Sequence, residues 1–181
     1  MNSFYSVEEL QELGFKSIGN NVLISRKASF YGTEKMSFGN DVRIDDFCIL
    51  SGEITLGSYV HIGAYCALYG AKGIIMEDYT GLSPRCTLFS ATDDFSGNFL
   101  ISPMVEKQLT NVSGGRVFIR KYSQIGAGSV ILPNLIIEEG VAVGAMSLVN
   151  KTLTKWTICA GIPAKKIKDR DKGLLKLINN G

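Results

Sequence analysis

The sequence holds a single histidine among 181 residues, and that scarcity limits its chemistry from the start. A zinc hydratase site takes about three histidine ligands per metal, more than one imidazole per chain supplies in the usual shared arrangement. An excess of either charge is missing too. Lys and Arg number 19 against 17 Asp and Glu, a net charge of +2, so bulk charge argues for no nucleic acid or other polyanionic partner. No apolar run is long enough to span a bilayer. The opening MNSFYSVEELQELGF has neither a basic stretch nor an apolar core of the kind that directs export. The expectation is a cytoplasmic protein with no membrane insertion. Four cysteines suffice for two disulfides, but Cys48, Cys66 and Cys86 share one inward place in the repeat described next. There they act as small hydrophobes, in keeping with a reducing compartment.

What the chain does have is a beat of six. From Ile119 to Asn150 an aliphatic residue returns at Ile119, Ile125, Ile131, Ile137, Val143 and Val149. Four places after each comes Ser123, Ser129, Leu135, Val141, Ser147 or Leu153, mostly small or branched. Six matches neither the 3.6 of a helix nor the long alternation of one strand. It fits a short strand, a bend and another short strand, as in hexapeptide β-helix repeats. One hexad cannot cover its own apolar face, so stacked coils must bury ladders of like side chains.

The same beat runs earlier through Phe38, Ile44, Leu50, Leu56, Ile62 and Leu68, then through Met76, Leu82 and Leu88. Two-residue slips near 31–37 and 70–73 read as widened corners. Ser6 and Glu9 form a capping-box pattern, which predicts a short helix at about 6–13. Between Phe89 and Val117 the beat disappears, and a structureless stretch of that length in a compact domain is usually functional or disordered. A lid or arm that builds a site is the reading preferred here. The expected organisation is an N-terminal helical segment at 1–17, a solenoid at 18–162 interrupted by a loop at 89–118, and a C-terminal segment at 163–181. That last segment is predicted to cap the open end as an amphipathic helix burying Ile167, Leu174, Leu175 and Ile178.

The IGAGSV hexads, the long internal loop and the closing AGIPAKKIK together resemble the hexapeptide-repeat acyltransferases, over roughly residues 18–170. The nearest branch holds galactoside, maltose and xenobiotic acetyltransferases and the acetyltransferases of surface polysaccharides. The resemblance implies an all-β fold, a left-handed parallel β-helix with three hexads per coil. It also implies a homotrimer and acetyl-CoA as donor, with no metal required. Handedness comes from the resemblance alone, because the general rule for parallel crossovers gives the right-handed form.

In that family a histidine at the start of the internal loop commonly takes the proton from an acceptor hydroxyl. Here the matching place holds Asp93 and Asp94, and the one histidine, His61, lies elsewhere. An ordinary carboxylate is a weak base unless burial or a neighbouring carboxylate raises it. Either aspartate, Asp94 preferred, acts on the acceptor, or both only pin the loop through Asx-turns. His61 is either a surface residue or, in a trimer, the imidazole that a neighbour's aspartate orients. The resemblance places CoA in a groove between solenoids, against Ala127 and Ala145, with Lys151, Lys165 and Lys168 near its phosphates. Alternatively, the lysines of the closing segment form a solvated face.

The outward residues Val130, Ile136, Ala142 and Leu148 are all apolar, and an exposed apolar strip asks for a partner. The function expected is acetyl transfer from acetyl-CoA to a hydroxyl or amino group of a sugar, as in nucleotide-sugar or surface-glycan synthesis. Loss of the usual histidine leans toward an amino sugar, whose amine requires less of a base. The alternative is a structural or other non-acyltransferase use of the same solenoid, which leaves the long loop and AGIPAKKIK unexplained.

Overall fold

A computed structural model describes residues 3–178 of the chain. The hexads form a left-handed parallel β-helix, three to a coil. Parallel pairing joins Ile44 to Ile62 and Ile125 to Val143, eighteen residues apart. Across the two slips the step is twenty, from Ile24 to Ile44 and from Leu56 to Met76. The extra residues widen corners, one of them through a single 3-10 turn at Thr33–Lys35. Inside, three ladders of buried side chains face one another. Ile44, Ile62, Leu82, Ile125 and Val143 line the first face; Leu56, Met76, Ile119 and Ile137 the second; Leu50, Leu68, Leu88, Ile131 and Val149 the third. Each such side chain contributes about 1.5–3 kcal/mol when buried, so the ladders hold the coils together.

The corners carry the backbone's sharpest turns. Among the described residues, eleven other than glycine have positive φ, a conformation uncommon for side chains with a Cβ. Ten of them fall into two columns along the solenoid. Tyr59, Tyr79, Tyr122 and Trp156 stand in one, with ring centroids 4.6, 5.6 and 6.3 Å apart in succession. Phe47, Tyr65, Arg85 and Met146 stand in the other, at the corner between the first and third faces.

The helix α1 (Val7–Glu12) has the capping box its sequence predicts. Ser6 Oγ accepts from the Glu9 N–H at 3.3 Å, and Glu9 Oε2 accepts from the Ser6 N–H at 2.7 Å. Arg26 ties Glu9 to the first coils, and Leu10 is buried. The internal segment leaves the third face after Thr87–Phe89. A two-rung antiparallel stem, Ala91–Thr92 against Ser113–Gly114, closes its base.

The C-terminal segment differs from expectation. Thr157–Ala160 ends the first face, and the chain doubles back as an antiparallel strand, Lys165–Asp169. An edge strand with unpaired N–H and C=O groups draws a partner strand more strongly than this lysine-rich stretch forms a helix. Ile167 is therefore 64% exposed rather than buried. Among the segment's described residues only Leu174–Ile178 are helical (α2), with Leu174, Leu175 and Ile178 half-buried. Arg170 fastens the hairpin by donating to the carbonyls of Tyr122 at 2.8 Å and Gly140 at 3.0 Å.

The expected single apolar strip also resolves differently. Val130 and Leu148 are neighbours on the third face, Ile136 lies beside Phe118 on the second, and Ala142 lies beside Gln124 on the first. Consecutive hexads lie on consecutive faces, so like positions stack once per coil. No helix among the described residues is long and apolar enough to cross a membrane.

Candidate active site

The second αL column runs past both expected pantetheine positions. Ala127 and Gly128 occupy it one coil before Ala145 and Met146, and the Met146 N–H donates to the Ala127 carbonyl at 2.8 Å. Both alanines are exposed. Their own N–H groups have no acceptor among the described residues, leaving two donors free for an extended amide-bearing ligand. One coil earlier the corner is Ser83-Pro84-Arg85, joined to the next by the Gly128 N–H donating to the Pro84 carbonyl at 3.0 Å. Ser83 is half-buried, and its hydroxyl has no partner among the described residues.

Lys151 and Lys165 meet at a cleft of about 270 Å³ at the end of the solenoid, lined also by Thr152, Thr154 and Lys166. Lys168 is on the same added strand, opposite Ile158, and does not line that cleft. Lys166 pairs with Asp169 at 2.7 Å, whereas Lys151, Lys165 and Lys168 have no acidic partner among the described residues.

The two aspartates part company. Asp93 lines a cleft of about 290 Å³ with Phe89, Thr92, Phe95, Leu132 and Pro133, at the far edge of the third face. Its carboxylate is half-buried and has no partner among the described residues. Asp94 is occupied: Oδ1 accepts from the Ser96 N–H and Oδ2 from Asn111 Nδ2, each at 2.8 Å. The bonds from Ser96 and then Asn111 hold its carboxyl below the usual carboxylate range. His61 stands on the first face, with Nε2 2.8 Å from Asp45 Oδ2, while Arg43 Nε donates to Oδ1 at 2.7 Å. Burial raises the Asp45 carboxyl, and the bonds from Arg43 and His61 more than offset this, holding it low. Within one chain the structure therefore pairs His61 with Asp45 rather than with Asp93 or Asp94.

The cysteines are all free and buried. Cys48, Cys66 and Cys86 donate to the carbonyls of Gly63, Ser83 and Gly126, and burial pushes the Cys48 thiol up to about 11. A buried thiol of that kind is a poor nucleophile. Among the described residues no three His, Cys, Asp or Glu side chains converge to hold a metal. Ser83 and Arg85 were not singled out from the sequence. The signal lay in the frame itself, since Leu82-Ser-Pro-Arg85 occupies the register of Ile125-Gly-Ala-Gly128.

No family model matches the chain. Among curated proteins, it is 45% identical over 172 residues to the dTDP-4-amino-4,6-dideoxy-D-glucose acyltransferase of Escherichia coli, covering 93% of this chain and 90% of that one. Among solved structures, it superposes on the N-acyltransferase AntD of Bacillus cereus in complex with dTDP and 3-hydroxybutyryl-CoA. The TM-score is 0.96 and the identity 54%, over 99% of this chain and 96% of that one. A variant of AntD with one serine replaced, in complex with dTDP-4-amino-4,6-dideoxyglucose and coenzyme A, gives a TM-score of 0.97 and 54% identity over 99% and 97% of the two chains.

Proposed function

The chain belongs to the hexapeptide-repeat sugar acyltransferases, enzymes that use acyl-CoA, and from that membership we propose that it N-acylates a dTDP-4-amino-4,6-dideoxyhexose. The observation that carries the choice of acceptor is the near-complete overlap with two relatives that take or bind this kind of sugar nucleotide. The site's chemistry supports it independently. A hydroxyl needs a base in the transition state, and Asp94 is tied up in hydrogen bonds that lower its basicity. An amine needs only to lose the proton of its own ammonium form.

In this reading the enzyme is a cytoplasmic homotrimer, and the Ser83–Ala127 corner of one subunit faces the Asp93 cleft of the next. Asp93, the partnerless carboxylate of the two, receives the amino group and orients its lone pair. Solved AntD variants carry a replacement at one serine or one aspartate, and Ser83 and Asp93 are proposed for those places here. The nitrogen attacks the thioester carbonyl carbon, the C–N bond forms, and the C–S bond breaks. The proton released from nitrogen ends on the departing CoA sulfur. The free N–H of Ala127 or Ala145 holds the pantetheine arm, and Lys151, Lys165 and Lys168 hold the phosphates.

The test is a screen of acetyl-CoA and 3-hydroxybutyryl-CoA against dTDP-4-amino-4,6-dideoxyglucose, dTDP-glucose and a neutral galactoside. Free thiol and product mass are the readouts. An amide formed on the amino sugar alone is the expected result. An ester on dTDP-glucose or the galactoside, formed at a comparable rate, would falsify the choice of amine.

A further inference from the structure

Arg85 differs from the other five arginines of the chain. Arg26, Arg43, Arg116 and Arg120 each hold a carboxylate, and Arg170 donates to two carbonyls. Arg85 is exposed, and among the described residues its guanidinium touches only the Tyr65 ring, 5.7 Å from the centroid. Tyr65 in turn stacks on Phe47, with centroids 5.0 Å apart and planes 25° from parallel. Both rings are about half exposed. The three residues rise along one corner, one per coil, with φ of 61, 61 and 65°. They continue the line on which Ala127 and Ala145 stand.

We propose that the Phe47–Tyr65–Arg85 column is the subsite for the nucleoside diphosphate half of the acceptor, with Arg85 on the diphosphate and the two rings against the base. The placement rests on the nucleotide-sugar reading above. A guanidinium with no carboxylate offers a planar fork of donors that matches phosphate oxygens. The two rings, stacked between Lys27 and Arg85, turn their outer edges to solvent as an apolar rim against which a heterocycle can lie. With coils about 4.8 Å apart, the column from Phe47 to Arg85 spans about 10 Å.

Charge fixes the direction. Asp45 and Asp46 directly precede Phe47, and Asp46 is already paired with Lys27 at 3.0 Å. Asp45 is paired with Arg43, and Asp46 holds Lys27, which also lies over the Phe47 ring at 5.2 Å. Arg85 is thus the one cation of the column without a carboxylate among the described residues, and the phosphates are placed there. The sugar then extends toward Ser83 and the pantetheine line, which brings acceptor and donor end to end on one corner.

The experiment is calorimetric titration of the parent protein and three variants with dTDP and, separately, with CoA. Arg85→Met should weaken dTDP binding about 10–100-fold. Arg85→Lys should recover only part of that, because an ammonium lacks the fork. Tyr65→Ala should weaken dTDP about 5–100-fold. CoA affinity and sedimentation should match the parent throughout. Parent-like dTDP binding in all three variants overturns the placement alone. Variants that sediment as smaller species, or lose CoA binding in parallel, assign the column to a subunit contact and overturn it too. A parent protein that binds CoA but not dTDP overturns the nucleotide-sugar reading, and the subsite with it.

Discussion

Two adjacent aspartates in one loop have unlike surroundings, and that difference sets what each can do. Asp94 bridges the two sides of the arm through Ser96 and Asn111, and those bonds depress its pKa. A depressed carboxyl stabilises the arm above its unfolded value of about 3.9 and loses that effect as pH falls through the lower folded value. It does not titrate near neutrality. Asp94→Asn should therefore leave the shape of the rate profile unchanged over about pH 6–9 and reduce kcat less than about tenfold, whereas Asp93→Asn should reduce kcat about 10²–10⁴-fold with KM for acyl-CoA little changed. Steady-state kinetics on one amino sugar decides, and a larger loss in Asp94→Asn reverses the assignment. The sequence singled out both residues by their position at the start of the arm. Which one faces the cleft depends on the stem Ala91–Thr92 with Ser113–Gly114, and no periodic signal marks a pairing across a loop.

At the level of elements, legibility followed periodicity. The ladders, both widened corners and the capping box were all readable, because each rests on residues close in sequence or repeated at fixed spacing. The closing hairpin was not. Its partner strand exists only because the last coil leaves an edge, and an edge is a property of the assembled solenoid. The hairpin carries Lys165 and Lys168 on one short strand, and Lys165 shares the end cleft with Lys151, where the CoA phosphates are proposed to lie. Replacing both with Ala should weaken CoA binding at low salt, with the difference shrinking as ionic strength screens the phosphates. Replacing Lys172 and Lys176 should do little. Equal losses from the two pairs, measured by CoA titration at two salt concentrations, place the phosphates elsewhere.

For the whole molecule, the distribution of apolar surface points to assembly. The Ser83–Ala127 corner and the Asp93 cleft are at opposite edges of the third face, whose outward residues include Ile49, Ala67, Val130 and Leu148. A ring of three subunits in which the corner of one meets the far edge of the next covers that face. For the proposed trimer, Val130→Glu or Leu148→Glu should therefore shift light scattering toward monomer. Ile136→Glu, on the second face, should leave assembly intact. Dissociation by Ile136→Glu alone assigns the contact to the second face. The sequence exposed these apolar positions but merged them into one strip, because neighbours along the chain are not neighbours along the solenoid.

Leu88 stacks on Ile131 as though the arm between them did not exist, which shows that the solenoid keeps phase in whole coils. The fold then behaves as a ruler with one step size. Grafting a complete coil between Arg85 and Ala127 would, in the proposed site, lengthen the distance from diphosphate to thioester by one notch and leave every ladder in place. Deleting a single hexad instead advances all later residues by one face, carrying the pantetheine line off the corner it shares with Arg85. Reach along the substrate axis is adjustable in this architecture, but only in integers.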